Sequence, residues 1–432
     1  MLSLAARESV ADRVQLPFRW VVAGLLAVAS ILNYIDRQAL SILASTIQKD
    51  LGISNSGYAA VVQSFLFFYT VMYLLSGRIV DWLGTRRSES LFILWWALSN
   101  MCTSVVGGIV SLGVVRSLLG MGEPGNFTAA AKAVSEWFPA REKGIAVGMY
   151  SMGGTIGAAV SAPLVSFLAI RYGWRSAFLA TGMLGVLLSI VWFSVYRRPA
   201  EMRRLSRRER ELLEGEGLLG AGSPRQAPPR WRDFVGSRAL WLVLASRMIT
   251  DPLWYFYLFW FPKYLQDARG FTLADVGTTV WMIFVAADCG CLLGGWLSGR
   301  YIRKGANPVT ARLRVMGGAA VVLAWSFTMP LLPGAEFPIA AASLFAMAHM
   351  AWMTNATTLP IDIFRAAHVG SVQGAVGAGS SLGGFLSAGI IGLVLTRASY
   401  TPLFVAMSVL HPAALFILLR WLPGRREANG GA

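Results

Sequence analysis

GRIVDWLGTRR, residues 77–87, is a polar turn between two apolar runs, with one acid, three arginines and two glycines. A related turn, GWLSGRYIRK, occupies residues 295–304, at an offset of 218 in a chain of 432. The first closes the second apolar run and the other closes the eighth. A second echo sets Gly153, Gly157 and Ser161 in the fifth run against Gly379, Gly383 and Ser387 in the eleventh. Small residues four apart let helices approach closely in lipid. Two echoes at matching places indicate two similar halves.

The runs themselves are about 20 residues long, enough to cross a bilayer core as helix. They fall at about 20–44, 57–77, 89–107, 109–135, 144–170, 175–196, 239–265, 273–298, 313–332, 337–358, 370–396 and 401–422. This pattern predicts an all-α membrane protein with twelve transmembrane helices in two six-helix pseudo-repeats. We expect a six-helix bundle over 1–196, a linker over 197–238 and a second bundle over 239–432. Repeats of this kind bind substrate near the midplane and alternate access by rocking.

Composition agrees: 55% of residues are hydrophobic and 14% charged, against about 25% charged in soluble proteins. A soluble enzyme with one core is excluded. The net charge of +16 does not indicate nucleic acid, because most basic residues sit in short connections between apolar runs. Outside those, Lys49, Arg171, Arg175, Lys263, Arg269 and Arg397 lie on the opposite side, and Arg37, Arg116, Lys132 and Arg247 lie within spans. The bias toward the terminal side places both termini in the cytoplasm. The first run lacks a small-residue cleavage site and reads as a retained helix. In the linker, RRPAEMRRLSRRERELLEGE suits a charged helix at the membrane surface, and GAGSPRQAPPR a flexible segment. Cys102, Cys289 and Cys291 read as small buried residues. The three histidines are scattered, and no metal site is expected.

Charges inside apolar runs cost about 2.5–3.5 kcal/mol each on insertion scales, so function is their default reading. Asp36 and Arg37 lie in the first run, Arg116 and Glu123 in the fourth. Arg116 and Glu123 are two helical turns apart and share a face. Two acids and two bases form a neutral set when no substrate is bound. We expect Asp36 and Glu123 to neutralise Arg37 and Arg116. Protonating a carboxylate frees an arginine to take a substrate carboxylate through two parallel bonds. Proton and anion then favour each other's binding. Tyr34, Asn355, Trp254 and Tyr255 are further candidates for the cavity wall; for Asn355 the alternative is a bond between helices. Trp260 and Phe261 suit the interfacial belt. Asp288 reads as a second proton site or a partner of Arg247. Lys132 is expected to snorkel to the surface.

GRIVDWLGTRR resembles the loop signature of the major facilitator superfamily, with Gly77, Asp81, Gly84, Arg86 and Arg87 in place. NYIDRQALS (33–41), RSLLGMGEPGNF (116–127) and SEWFPAREKGIAVG (135–148) resemble its anion:cation symporter family. DPLWYFYLFWFPKYL (251–265) and TNATTLPIDIF (354–364) look like its hexuronate-transporter members. The resemblance implies the major facilitator fold, no enzymatic activity and a monomer in membrane lipid, in a bacterial inner membrane. It implies proton-coupled import of an organic anion, with Arg37 for substrate and Asp36 and Glu123 for protons, and no other cofactor. Tyr69 resembles a substrate-contacting tyrosine of the family. Asp81, Arg86 and Arg87 would gate one access state. Where sugar-acid relatives can carry an amide in the eleventh span, this chain offers Ser380 and Ser381. In the second copy of the loop signature Gly299 stands where the first has Asp81, so the two gates are not electrostatically equivalent. Other carboxylates (aldonate, aldarate, aromatic or dicarboxylate) are alternatives. So are proton-driven efflux and a transporter-like solute sensor, which the membrane arginines and the short cytoplasmic extensions argue against.

Overall fold

The structure, a computed structural model, describes residues 17–202, 205–219, 232–271, 273–334, 336–397 and 399–422. The described residues form helices, short turns and no strands. Span one is α1 (Phe18–Ile42), followed by a short α2 (Ala44–Leu51). Spans two and three are α3 (Asn55–Leu83) and α4 (Thr85–Cys102). Between them Gly84 has φ +77°, a conformation that suits glycine and lets the chain reverse within one residue. Span four is split into α5 (Ile109–Gly122) and α6 (Pro124–Trp137). Spans five and six are α7 (Ala140–Tyr172) and α8 (Trp174–Val195). The linker contributes α9 (Arg207–Gly215) and α10 (Arg232–Val235).

Span seven is also split, into α11 (Arg238–Thr250) and α12 (Pro252–Phe259), continued by α13 (Phe261–Arg269). Then follow α14 (Leu273–Arg303), α15 (Pro308–Ala324), α16 (Glu336–Ile363), α17 (Val369–Arg397) and α18 (Thr401–Trp421). Eight helices are long and apolar enough to cross a membrane on those grounds alone. The split spans miss that standard for a local reason. Pro124 and Pro252 each lack the N–H that would continue the ladder, and each opens a new helix directly after an acid.

The two echoes occupy equivalent places. Gly153 and Gly157 of α7 lie against the α1 carbonyls of Ala27 and Ile31, at 2.7 and 2.5 Å from where a Cβ would stand. Gly379 and Gly383 of α17 lie against Leu244 and Met248 of α11. Span five therefore packs on span one as span eleven packs on span seven. Apolar side chains that a soluble protein would hide face outward instead: Ile170 is 88% exposed and Val110 77%. Such a surface requires lipid.

The linker helix packs on the first half at the start of α1. Leu213 of α9 is fully buried in the core of the first half. Glu209 accepts from the N–H groups of Phe18 (2.8 Å) and Arg19 (3.0 Å), capping α1. The Gly/Pro-rich stretch lies outside the described residues. Phe261 is fully buried and stacks on Tyr257 at 5.0 Å, so it is core and not belt. Cys102 and Cys289 are exposed, and only Cys291 is buried as expected.

Candidate functional site

The halves meet at the face where α1 begins and α18 ends. Gly77 of α3 meets the Gly370 carbonyl of α17, 1.9 Å from an ideal Cβ. Gly295 of α14 meets the Gly144 carbonyl of α7 at 2.3 Å. Asp81 completes the first contact. Its carboxylate accepts from Gly370 N (3.2 Å), Ser371 N (2.7 Å) and Ser371 Oγ (2.6 Å) at the start of α17. Lys132 Nζ lies 2.5 Å from the same carboxylate. Lys132 is therefore a buried partner of Asp81 and does not snorkel, because the loop signature folds a carboxylate against it. The second copy offers Gly299, which lies against the Arg141 carbonyl. There Arg312 binds Asp362 (3.0 Å), Ser298 and the Ala140 carbonyl, and Lys143 also reaches Asp362 (3.2 Å). Arg86 donates to the Phe193 carbonyl (2.8 Å) near the end of α8, within the first half. Arg87 is exposed beside it.

Behind this closure lie the buried charges. Arg37 donates to Glu123 through Nε (2.8 Å) and Nη2 (2.6 Å), joining α1 to the break in span four. The Glu123 side chain is fully buried, while Arg37 keeps 26% exposure. Tyr34 and Tyr69 stand by the guanidinium, their ring centres 4.9 and 4.7 Å from its carbon. Asp36 points elsewhere. It accepts from Asn100 Nδ2 (2.7 Å), which also reaches Thr181 (2.8 Å). One oxygen each of Asp36 and Glu123 is buried without a hydrogen-bond partner among the described residues.

The expected pairing is thus only half present. Arg116 makes no ion pair among the described residues: Nη1 reaches the Asp36 carbonyl at 3.5 Å, and the guanidinium lies 5.1 Å from the Phe178 ring centre. Spacing put Arg116 and Glu123 on one face, and Glu123 still lies within electrostatic reach of Arg116, but its hydrogen bonds come from Arg37 of α1.

In the second half, Arg247 pairs with Asp251 at 3.0 Å, not with Asp288. Asp288 accepts instead from Thr155 of α7. Ser380 donates to Asp251, and Ser381 is half-buried beside it. Tyr255 packs against Gly384 of α17. Trp254 stacks on His349 at 6.0 Å. Asn355 donates through Nδ2 to the carbonyls of Gly294 (3.0 Å) and Ala351 (2.8 Å), tying α16 to α14, while its Oδ1 is buried with no hydrogen-bond partner among the described residues.

Two features escaped the sequence reading. His349 and His411, 62 residues apart, hydrogen-bond at 3.0 Å in the core, and no sequence signal links them. The Arg247–Asp251 pair did have a signal, since residues four apart adjoin on a helix.

Residues 26–388 match the Major Facilitator Superfamily. The chain is 29% identical to a hexuronate transporter of Escherichia coli strain K12 over 396 residues, which cover 90% of this chain and 91% of that one. It is 32% identical to a galacturonate transporter of Dickeya chrysanthemi over 280 residues, covering 65% and 81%. Its fold matches the solved structure of the proton:xylose symporter XylE with a TM-score of 0.73 at 14% identity, over 94% of this chain and 96% of that one. A duplicated six-helix architecture, its signature loop placed between the halves and a match over most of the length lead to one assignment: the chain belongs to the Major Facilitator Superfamily, and it is a membrane transporter and not an enzyme.

Proposed function

We propose that the protein is a symporter that imports a sugar acid, such as a hexuronate, together with protons, by alternating access. The observation that carries this reading is the Arg37–Glu123 pair, buried in the membrane and flanked by Tyr34 and Tyr69. The resemblance to hexuronate and galacturonate transporters supports the same class. A substrate carboxylate matches the planar fork of Arg37. To bind there it displaces Glu123, whose side chain is fully buried. A buried carboxylate without its cation is costly unless it is neutralised, so Glu123 takes a proton as the anion arrives. Asp36, held by Asn100 and carrying one unpartnered oxygen, is the second proton carrier. Tyrosine hydroxyls at Tyr34, Tyr69 and Tyr255 and the Ser380–Ser381 pair offer partners for sugar hydroxyls. Trp254 is a wall of the cavity.

Asp81 latches the terminal face while substrate enters from the other side, and Arg86 and Arg87 steady its loop. The coupling ion is the proton, and no cofactor takes part. The protein works as a monomer in a bacterial inner membrane with its termini in the cytoplasm, as the basic-residue bias supports.

The test is uptake of labelled galacturonate and glucuronate into vesicles holding the purified protein. The wild type should accumulate substrate when a proton gradient is imposed. Glu123→Gln should lose that response while still exchanging substrate passively. Normal gradient-driven accumulation by Glu123→Gln, or none by the wild type, would sink the reading.

A further inference from the structure

The proposed cycle uses the ion pair of the first half and leaves the pair of the second half idle. The two are built alike. In each, the acid directly precedes the proline that restarts a broken span: Glu123–Pro124 and Asp251–Pro252. In each, the carboxylate is sealed and the arginine stays partly open, with side-chain exposures of 0% against 26% for Glu123 and Arg37, and 4% against 12% for Asp251 and Arg247.

The remaining donors of Arg247 rest on hydroxyls, which exchange readily. Nη1 reaches Thr357 Oγ1 at 2.7 Å and Nη2 reaches Ser380 Oγ at 3.4 Å. The first half faces this pair directly. The Tyr73 ring of α3 packs on Gly377, one turn before Ser380. Tyr73 and Tyr150 both lie within electrostatic reach of Arg247. The Tyr150 hydroxyl is buried and has no hydrogen-bond partner among the described residues, an arrangement that is unfavourable unless a ligand satisfies it. Tyr73 also packs edge-on against Tyr69 at 5.4 Å, and Tyr69 stands 4.7 Å from the Arg37 guanidinium, so a row of rings joins the two pairs.

We propose that Arg247 is a second carboxylate subsite, and that the preferred substrate is a sugar diacid with a carboxylate at each end of a short polyol chain. This deepens the sugar-acid reading and rests on it. One carboxylate binds Arg37 and displaces Glu123; the other binds Arg247 and displaces Asp251. Each displaced acid is buried and takes one proton. The groups facing Asp251 are Arg247 on the preceding helix, Ser380 from α17 and Tyr255 from α12. Tyr73, Tyr150 and His349 lie on the Arg247 side. Charge balances: the empty site holds two arginines and two carboxylates, and a dianion with two protons leaves the total unchanged. The Tyr150 hydroxyl takes a hydroxyl of the polyol.

The experiment compares one six-carbon sugar diacid, galactarate, with its monoacids galacturonate and galactonate. Binding to the purified full-length protein is measured by calorimetry and thermal shift at mildly acidic pH. The wild type should bind galactarate about tenfold or more tightly than either monoacid. In the charge-neutral double variant Arg247→Gln/Asp251→Asn that ratio should collapse to about one. Tyr150→Phe should weaken binding of all three acids severalfold and leave the ratio near its wild-type value. A wild type that prefers monoacids, or shows no preference, overturns the inference, and this comparison stands whether or not any variant folds. A folded double variant that keeps the diacid preference overturns it as well. If monoacids bind and the diacid does not, only the second subsite falls. If none of the three binds, the sugar-acid reading falls with it.

Discussion

Asp81→Asn should unlatch the terminal face. Asp81 is a carboxylate on α3 that accepts three hydrogen bonds from the first residues of α17, at 3.2, 2.7 and 2.6 Å. These bonds cross between the halves, so they exist only while this face is closed. A hydrogen bond to a charged acceptor contributes about 1.5–3 kcal/mol net, and a carboxylate at a helix start about 0.3–1 kcal/mol more. An amide keeps one carbonyl oxygen and turns an NH2 toward the donors, so it loses at least one bond and the charge. The closed state should weaken by about 2 kcal/mol, about a thirtyfold shift in the gate equilibrium. Lys132 loses its ion pair too, but Lys132 and Asp81 both belong to the first half, so that loss burdens open and closed states alike. Pulsed electron paramagnetic resonance would read the shift, with spin labels at the exposed positions Arg87 and Arg365 and the three native cysteines replaced by alanine. The short-distance population should shrink and a longer one appear. An unchanged distance distribution in a folded Asp81→Asn protein would refute the assignment of this carboxylate as a latch.

Gly295→Ala places a methyl 2.3 Å from the Gly144 carbonyl; overpacking against backbone costs about 1–3 kcal/mol, so vesicle uptake should fall and the same label pair should report an opened face. Asp50, in the short helix beyond span one, is held below the ordinary carboxylate value of 3.8 by hydrogen bonds from Arg175 and Trp174. A depressed folded value gives stability that is present above 3.8 and lost as pH falls through the folded value. The melting temperatures of wild type and Asp50→Asn should therefore differ at neutral pH and converge in strong acid; a gap that persists in acid would point to packing instead.

Much of the site was legible in the residues. Asp36, Arg37, Arg116 and Glu123 stand out because an ion in an apolar run is costly and seldom idle. Their partners were not legible. Helical spacing shows which residues of span four share a face, but not that Arg37 of α1 lies close enough to take Glu123. For Asn355 the sequence left a polyol contact and an interhelical bond open; close approach of α14 at Gly294 supplies the second through Nδ2. Lys132 looked like a surface residue, because nothing in its own helix reveals that Asp81, 51 positions earlier, is folded against it.

By itself the sequence determined the number and order of the spans, the duplication and the presence of buried charge. Each is a local property: hydropathy is summed over about 20 neighbours, and the glycine spacing is read within one helix. Only the tertiary structure decided which charges pair, which face is shut and which polar groups are already satisfied. Those depend on contacts between distant positions, such as Arg37 with Glu123 or Asp81 with Ser371. Hydrogen bonds and ion pairs act within about 3 Å, and no pattern along the chain sets a distance of that size between separate helices.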